Sequence, residues 1–299
     1  MSVMPNKASL SLEDIDFLII GATKSATTWL QKSLQLDPAV AMPDPELHYF
    51  SREFGRGDAW YLEQFPKEGA ARLLGEKSNS YLESATAAQR IARLLPHVKL
   101  IAQLRNPIDR AYSDYCMMFR RGEVTGNIEA YLDPRGPHET RLLRAGLYFE
   151  QLKAFYDSYP AGQIHVTLYE TVNTDPVGHL AAVRRFLGLG ATDTPPLLTQ
   201  KVKDKTEPVL PPHLRRWLAP VKPVLAPVRN SPLVRTLRNA MASEMRYPEL
   251  TCRLRDRLAE HYHRDVEALS HLVGRDLSGW LTGPSVPARA AGAMSGKCV

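Results

Sequence analysis

A short buried strand that runs into a helix through a small polar loop is the feature that most constrains the fold. Residues 17–20 form an apolar run of strand length, which ends at Gly21. Trp29, Leu30 and Leu34 follow at helical spacing. A strand–loop–helix unit of this kind predicts parallel β–α–β architecture.

Three further segments extend this pattern along the chain. Residues 100–104 and 164–169 are apolar strand candidates beside apolar stripes of helical spacing, and residues 73–77 predict a fourth strand. The alternation of strands and helices predicts an α/β fold with a parallel sheet and helices on both faces. Ligands bind such sheets outside the carboxyl ends of the strands, so the residues that follow the strands are candidates for a functional site.

Composition and charge are those of an ordinary globular chain. The 299 residues are 44% apolar and 23% charged, which argues against a disordered or collagen-like chain. The 38 basic and 32 acidic residues give a net charge of +6, which suits an anionic ligand and does not by itself indicate nucleic acid. Three widely spaced cysteines predict neither a disulfide framework nor a metal site. Without a long apolar run or a signal-like N-terminus, a cytoplasmic protein with no transmembrane segment is expected.

One domain is predicted over residues 14–281, between a flexible N-terminus at 1–13 and a flexible tail at 282–299. Within it, residues 201–248 form an arm rich in proline and basic residues. The arm either lines an acidic acceptor, lies on an anionic membrane surface as a peripheral contact, or packs its apolar side on the domain. The last is the ordinary behaviour of such a stretch. The sequence leaves the oligomeric state open.

The loop between the first strand and the first helix has the composition of an anion site. Backbone N–H groups at a helix start, together with the helix dipole, attract a phosphate. Only two residues separate Gly21 from Lys24, so the loop is too short for the P-loop of nucleotide triphosphatases. The alternative is an ordinary turn with a surface lysine. The residues predicted to bind the phosphate are Lys24, Ser25, Ala26, Thr27 and Thr28.

A second anion site is predicted where the strand at 100–104 ends. Arg105 follows that strand, and Ser113 lies eight residues further on, in the next helix. An arginine fork binds phosphate through two hydrogen bonds, and a helix hydroxyl completes the site. Arg105 can equally be a salt-bridge partner at the strand end, and both interpretations stay open. Two separate anion sites would imply a ligand with two anionic groups.

Several motifs, in order, resemble those of sulfotransferases that use 3′-phosphoadenosine 5′-phosphosulfate (PAPS). The likeness is greatest to the heparan-sulfate (glucosaminyl) sulfotransferase branch, as a bacterial-type cytosolic member, and it covers about residues 17–190 plus the C-terminal helix. The similar stretches are the loop at 21–28, Pro-Glu-Leu-His-Tyr-Phe at 45–50, Trp-Tyr-Leu at 60–62, Gly-Glu-Lys-Ser-Asn-Ser-Tyr at 75–81 and Leu-Arg-Asn-Pro-Ile-Asp-Arg-Ala-Tyr-Ser-Asp-Tyr at 104–115.

The chain departs from the family pattern at identifiable positions. Thr23 and Ser25 stand where the family has arginine and glycine, and Asn79 stands where it has proline. The family's late nucleotide loop has no clean match. Lys203 and Lys205 lie near its expected place and are carried over as donor-binding candidates on that ground alone.

The resemblance implies a P-loop-like three-layer sandwich with a central, mainly parallel sheet, and an enzyme that moves a sulfuryl group from PAPS to an acceptor hydroxyl or amine. The first loop would hold the 5′-phosphosulfate, and the arginine–serine pair the 3′-phosphate. A carbohydrate or another small molecule is the implied acceptor, and PAP (adenosine 3′,5′-bisphosphate) the second product. No metal is expected, because no histidine, cysteine and acidic cluster has ligand spacing.

Four residues receive catalytic roles from this resemblance and from transfer chemistry. Lys24 would stabilise the negative charge that builds on the leaving bridging oxygen. Lys77 would reach the sulfuryl oxygens or the acceptor. Glu46 would be the general base if partial burial raised its pKa toward neutrality. His48 lies on the same face as Glu46 if the segment is extended; it would orient Glu46, contact the acceptor or be the base itself, or else be a polar core histidine.

Two other functions remain open from the sequence. One is an ATP- and Mg²⁺-dependent P-loop phosphotransferase, against which the short loop and the lack of an aspartate at the strand ends both speak. The other is a module that binds a nucleotide or a polyanion without catalysis. Neither interpretation assigns the chain a nucleic-acid partner.

Overall fold

The protein is described by a computed structural model that covers residues 10–66, 72–137, 139–190 and 245–282. The chain divides into two compact units. The described parts of the first are 10–66, 72–105, 148–190 and 271–274, and those of the second are 106–137, 139–147, 245–270 and 275–282. The prediction of one domain over 14–281 stays a prediction.

The first unit contains a five-stranded sheet in which every neighbouring pair is parallel. The strand order is β2-β3-β1-β4-β5. The predicted α/β fold with a parallel sheet is therefore confirmed, and all four predicted strands are present. The two-residue strand β2 was not predicted, because a strand that short has no alternation to detect. The strands are β1 (Ile15–Gly21), β2 (Val40–Ala41), β3 (Leu73–Lys77), β4 (Lys99–Leu104) and β5 (Ile164–Leu168).

Helices follow or connect the strands throughout the described residues. They are α1 (Thr27–Leu34), α2 (Gly57–Glu63), α3 (Ala85–Leu94), α4 (Pro107–Arg121), α5 (Glu129–Leu132), α6 (Arg141–Arg144), α7 (Tyr148–Tyr156), α8 (Tyr169–Thr174), α9 (Pro176–Leu187), α10 (Cys252–Val273) and α11 (Gly279–Thr282). A π-helical turn spans Tyr49–Glu53, and short 3₁₀ turns span Leu12–Asp14, Phe54–Arg56 and Ala161–Gln163. None of the helices in the described ranges is long and apolar enough to cross a membrane.

Both faces of the sheet are covered. Phe17 and Ile19 of β1 pack in one apolar cluster with Trp29 of α1 and with α9 residues. Leu18 and Ile20, which the strand pleat directs to the opposite face, are also fully buried. At about 25 cal/mol per Å² of apolar surface removed from water, this two-sided burial is the main force that holds the helices on the sheet.

β1 lies between β3 and β4, and this order sets the position of the candidate site. Ile19 pairs with Lys77 of β3, and Gly21 pairs with Ala102 of β4. The segments that follow these three strands therefore leave the sheet at the same edge. This is the carboxyl edge where the sequence predicted the functional residues to gather.

The described part of the second unit is helical, and a buried ion pair lies inside helix α4. Arg110 and Asp114 have no exposed surface, and Arg110 Nη1 lies 3.4 Å from Asp114 Oδ2. Arg255 of α10 forms an ion pair with Asp109 of α4, with 2.8 Å between Nη2 and Oδ1. Ser113 lies in α4 and is largely buried.

Candidate active site

The loop between β1 and α1 has an unusual backbone. Lys24 and Ala26 have φ angles of 70° and 62°, in the left-handed region. When the sign of φ alternates along the backbone in this way, successive N–H groups turn toward one side and form a concavity for an anion. Ala26 is the N-cap of α1 and has no side chain that accepts from the first-turn N–H groups.

The loop also contains a hydroxyl that suits a phosphate oxygen. Ser25 is fully buried, and its Oγ has no hydrogen-bond partner among the described residues. A buried hydroxyl without a partner is costly and generally indicates a missing ligand or water. Together with the left-handed backbone, it shows that the loop fits a phosphate group. The predicted roles of Lys24, Ser25, Ala26, Thr27 and Thr28 fit this geometry and stay predictions.

Arg105 contacts the loop directly. Its Nη1 donates to the Lys24 carbonyl at 3.1 Å, and its guanidinium carbon lies 4.4 Å from the centre of the Tyr169 ring. Its Nε is buried without a hydrogen-bond partner among the described residues. Arg105 belongs to the first unit and Ser113 to the second, so their joint role at a 3′-phosphate stays a prediction. Lys203 and Lys205 lie outside the described residues.

Glu46 is held by residues that follow β3. Its Oε1 lies 2.8 Å from Lys77 Nζ and accepts a hydrogen bond from Asn79 Nδ2 at 3.1 Å. Its Oε2 accepts from the Asn79 backbone N–H at 3.0 Å. Three donors therefore fix a carboxylate whose side chain keeps 26% of its surface exposed. That exposure leaves room for an acceptor to approach.

The pKa of Glu46 is lowered, which differs from the sequence expectation. Burial acts to raise it, but the Lys77 ammonium and the hydrogen bonds from Lys77 and from the Asn79 backbone outweigh burial. The condition that burial raises this pKa toward neutrality is therefore wrong. Glu46 is ionised at neutral pH and able to accept a proton, although it is a weak base while Lys77 remains paired with it.

His48 lies beside Glu46, but not because the segment is extended. Its φ is 51°, in the left-handed region, and the chain turns there into Tyr49–Glu53. The expectation of an extended segment is therefore wrong, yet His48 Nε2 lies 3.8 Å from Glu46 Oε2. The Nδ1 atom lies 2.7 Å from Ser80 Oγ. Burial lowers the pKa of His48, with the Glu46 carboxylate opposing and the Arg52 cation adding to the shift, so the ring is neutral at pH 7.

Lys77 connects the carboxylate to the anion loop. Its side chain is only 3% exposed, and its Nζ lies 3.4 Å from Thr28 Oγ1 as well as 2.8 Å from Glu46 Oε1. A second link runs through Thr27, whose hydroxyl donates to Asn79 Oδ1 at 2.8 Å. The predicted base and the predicted phosphate loop are therefore parts of one hydrogen-bonded site.

A buried carboxyl group supports the site from behind. Glu76 has no exposed surface and accepts hydrogen bonds from the hydroxyls of Tyr81, Ser78 and, at 3.4 Å, Tyr61. Burial raises the pKa of Glu76 to about 7, although these hydroxyls oppose the shift. Ser78 Oγ in turn accepts from the His48 backbone N–H at 2.8 Å, so this cluster fixes the turn that places His48.

Sequence reasoning missed the roles of Asn79 and Ser80. Asn79 was recognised only as a departure from proline, although proline could provide neither the backbone N–H nor the amide that bind Glu46. The replacement itself was the available signal. Ser80 carried no signal, because a serine in a loop is ordinary.

The fold and the geometry of the site suit group transfer from an anionic donor, and comparisons with known proteins identify the family. The sequence profile of the sulfotransferase domain matches residues 14–207. The chain belongs to the sulfotransferase domain family, and the resemblance seen in its motifs is confirmed.

Two curated human relatives are similar over more than half of this chain. Heparan sulfate glucosamine 3-O-sulfotransferase 6 is 34% identical over 176 residues, which cover 58% of this chain and 52% of that protein. Bifunctional heparan sulfate N-deacetylase/N-sulfotransferase 2 is 33% identical over 192 residues, which cover 58% and 22%. The chain thus spans about half the length of the first relative and less of the second.

A solved structure is similar to this chain. The sulfotransferase from Alicyclobacillus acidocaldarius is 25% identical with a TM-score of 0.66, and the match covers 89% of this chain and 98% of that one. The P-loop-like α/β fold expected from the sequence is therefore confirmed.

Proposed function

We propose that this chain transfers a sulfuryl group from PAPS to an acceptor hydroxyl or amine. The observation that carries the proposal is the position of Lys77 Nζ, 2.8 Å from the Glu46 carboxylate and 3.4 Å from Thr28 at the start of α1. One buried ammonium thus joins a general base to a loop that fits a phosphate. Membership in the sulfotransferase domain family supports the same reaction.

The donor would occupy the carboxyl edge of the sheet. Its chemistry is a sulfuryl group on a phosphate oxygen, activated for transfer. The 5′ end would lie on the loop residues Lys24 to Thr28, and the 3′-phosphate on Arg105 and Ser113. Lys203 and Lys205, which lie outside the described residues, would complete the donor contacts. The Lys24 ammonium would stabilise the negative charge on the leaving oxygen.

Glu46 would remove the proton from the acceptor. A neutral hydroxyl is a weak nucleophile, so a positioned base is worth about 10² to 10⁴ in rate. A sulfuryl group beside Thr28 would compete with Glu46 for the Lys77 ammonium. As Lys77 turns toward the sulfuryl oxygens, the pKa of Glu46 rises and the carboxylate becomes a stronger base.

A carbohydrate is the proposed acceptor class, with another small molecule as the alternative. The names of both human relatives refer to heparan sulfate, and the motif at 45–50 is similar to that branch. Residues 201–244 of the basic arm lie outside the described residues, so contact with an acidic acceptor, contact with a membrane surface and packing on the domain all stay open for it. The fold does not define the acceptor.

Nucleotide binding without metal is the first test. Adenosine 3′,5′-bisphosphate at about 100 times its Kd should stabilise the chain by about 2.7 kcal/mol, seen as a rise in Tm, and should do so in the presence of EDTA. ATP with Mg²⁺ should give a smaller rise. Stabilisation by ATP–Mg²⁺ alone would support the phosphotransferase instead.

Incubation with PAPS and a panel of glycans, lipids and phenols should then add about 80 daltons per transfer, the mass of SO₃.

The cytoplasm is the proposed location, based on three cysteines without a framework spacing. Cys116 is buried and reduced. Cys252, however, is disulfide-bonded, which the sequence prediction of no disulfide framework did not foresee. Protein alkylated in intact cells and then unfolded should show three reduced thiols if it is cytoplasmic. A count of one would contradict that location.

A further inference from the structure

Two carbonyl groups of the anion loop are held by side chains from β4 and its exit. The Lys24 carbonyl accepts from Arg105 Nη1 at 3.1 Å, and the Ser25 carbonyl accepts from Gln103 Nε2. Gln103 is fully buried in β4. Consecutive peptide groups of the loop are thus fixed from the same side.

This attachment determines where the loop N–H groups point. In a planar trans peptide the C=O and N–H of one unit point in opposite directions. The unit with the Ser25 carbonyl also carries the Ala26 N–H, and the unit with the Lys24 carbonyl carries the Ser25 N–H. Because both carbonyls are held by side chains from β4, both N–H groups point away from those side chains, where the concavity for an anion lies.

A buried histidine fixes the orientation of the Gln103 amide. His179 Nε2 lies 3.0 Å from Gln103 Oε1, and His179 Nδ1 lies 2.6 Å from Thr171 Oγ1. When the Thr167 hydroxyl, 3.3 Å from His179 Nδ1, donates to that nitrogen, the ring proton lies on Nε2. It then donates to Gln103 Oε1 and leaves the amide nitrogen facing the Ser25 carbonyl. The His179 ring is itself packed edge-on against Trp29 of α1, with 5.7 Å between centroids.

We infer that Gln103 and His179 are positioning residues for the 5′ end of the donor. Neither touches the donor in the proposed function on which this inference rests. Gln103 turns the Ala26 N–H toward the 5′-phosphate, and His179 keeps the Gln103 amide from reversing. The left-handed conformations at Lys24 and Ala26 are unfavourable for residues other than glycine, so the loop needs this support to keep them.

The direct test uses two nucleotides that differ at one phosphate. Gln103→Met keeps the length of the side chain and removes the amide. It should weaken adenosine 3′,5′-bisphosphate about tenfold, the effect of one hydrogen bond that aims a charged contact, and leave adenosine 3′-monophosphate within about twofold. Calorimetry gives the Kd of each nucleotide, and the ratio of the two Kd values is compared between the variant and the unmodified chain. An equal loss for both nucleotides, or for neither, would overturn the inference.

Gln31 provides a matched control. It is also fully buried in the first unit, and its Nε2 donates to the Pro43 carbonyl at 2.7 Å, outside the loop. Gln31→Met should lower Tm without changing the ratio of the two Kd values. A similar change of ratio in this variant would show that general loosening, not loop positioning, causes the effect.

The role of His179 is tested by coupling. His179→Phe keeps an aromatic ring against Trp29 and should weaken the bisphosphate about threefold, less than Gln103→Met. Because His179 acts through Gln103, the double variant should bind like Gln103→Met alone. Additive losses would mean that His179 acts by another route.

A measurement on the unmodified chain does not depend on how the variants fold. The amide resonances of Ser25 and Ala26 should shift on titration with adenosine 3′,5′-bisphosphate and stay in place with adenosine 3′-monophosphate. Unmoved amides with bound bisphosphate would overturn this inference and leave the proposed function intact. If the chain binds neither nucleotide, the proposed function is wrong and the inference fails with it.

Discussion

Glu46→Gln should lower kcat by about 10² to 10⁴, the usual contribution of a general base, while the Kd for adenosine 3′,5′-bisphosphate changes less than about threefold. Glutamine keeps the size of the side chain and can still accept a hydrogen bond from Asn79, but it cannot remove a proton. A mass-resolved transfer assay measures kcat and calorimetry measures Kd, so the loss of catalysis is separated from any loss of nucleotide binding. Normal transfer by this variant would show that Glu46 is not the base.

Two companion variants make this result specific. Glu53→Gln removes a carboxylate in the neighbouring turn, paired at 3.7 Å with Arg56, and should change kcat less than about twofold, as most surface pairs do. His48→Ala distinguishes the remaining alternative. If His48 only assists Glu46, His48→Ala should lose only part of kcat. If kcat collapses in His48→Ala and not in Glu46→Gln, His48 is the base.

Lys77→Met should lower kcat by about 10² to 10³, comparable to the loss of one preorganised donor at a developing charge. The apolar side chain fills the buried site but removes the charge that Glu46 and the sulfuryl oxygens would share. The change also leaves Glu46 without its ion-pair partner, so its pKa should rise. The Lys77→Met variant therefore also tests how kcat/KM depends on pH.

The sign of the pH effect follows from the lowered pKa of Glu46. The base is active when ionised, so kcat/KM in the unmodified chain should fall only when the pH drops below the ordinary pKa of a glutamate. In Lys77→Met the acidic limb of the profile of kcat/KM against pH should move to higher pH. Lys32→Met, which removes the exposed partner of Asp44, is the control and should leave the limb in place. An unmoved acidic limb in Lys77→Met would contradict the assigned pairing of Lys77 with Glu46.

The sequence predicts most of the sheet because its strands carry strong local signals. Residues 17–20 and 100–104 are mainly apolar runs of strand length, and residues 164–169 alternate apolar and polar side chains, which favours a strand. Helix α3 was missed, because Ala85–Leu94 is rich in alanine and arginine and has few large apolar residues to show a period. Its N-cap, Ser84, which accepts from the Ala87 N–H, was the available sign.

The residues of the site were predicted better than their interactions. Glu46, His48 and Lys77 were identified from motifs, but Glu46 and Lys77 pair across 31 residues of sequence, which no local pattern reports. The lowered pKa of Glu46 was unpredictable for the same reason, since it results from Lys77 and Asn79 rather than from burial. Gln103 reads as one polar residue in an apolar strand, and only the loop carbonyl beside it explains its presence.

The attachment of Glu46 has a consequence for how its surroundings would diversify. The reactive carboxylate is anchored by Lys77 and Asn79 from the neighbouring strand exit, not by the segment that carries it. Substitutions beyond the buried Tyr49 and Phe50 would therefore leave Glu46 in register with the sheet. If Glu46 is the base, acceptor choice would be free to drift without loss of reactivity.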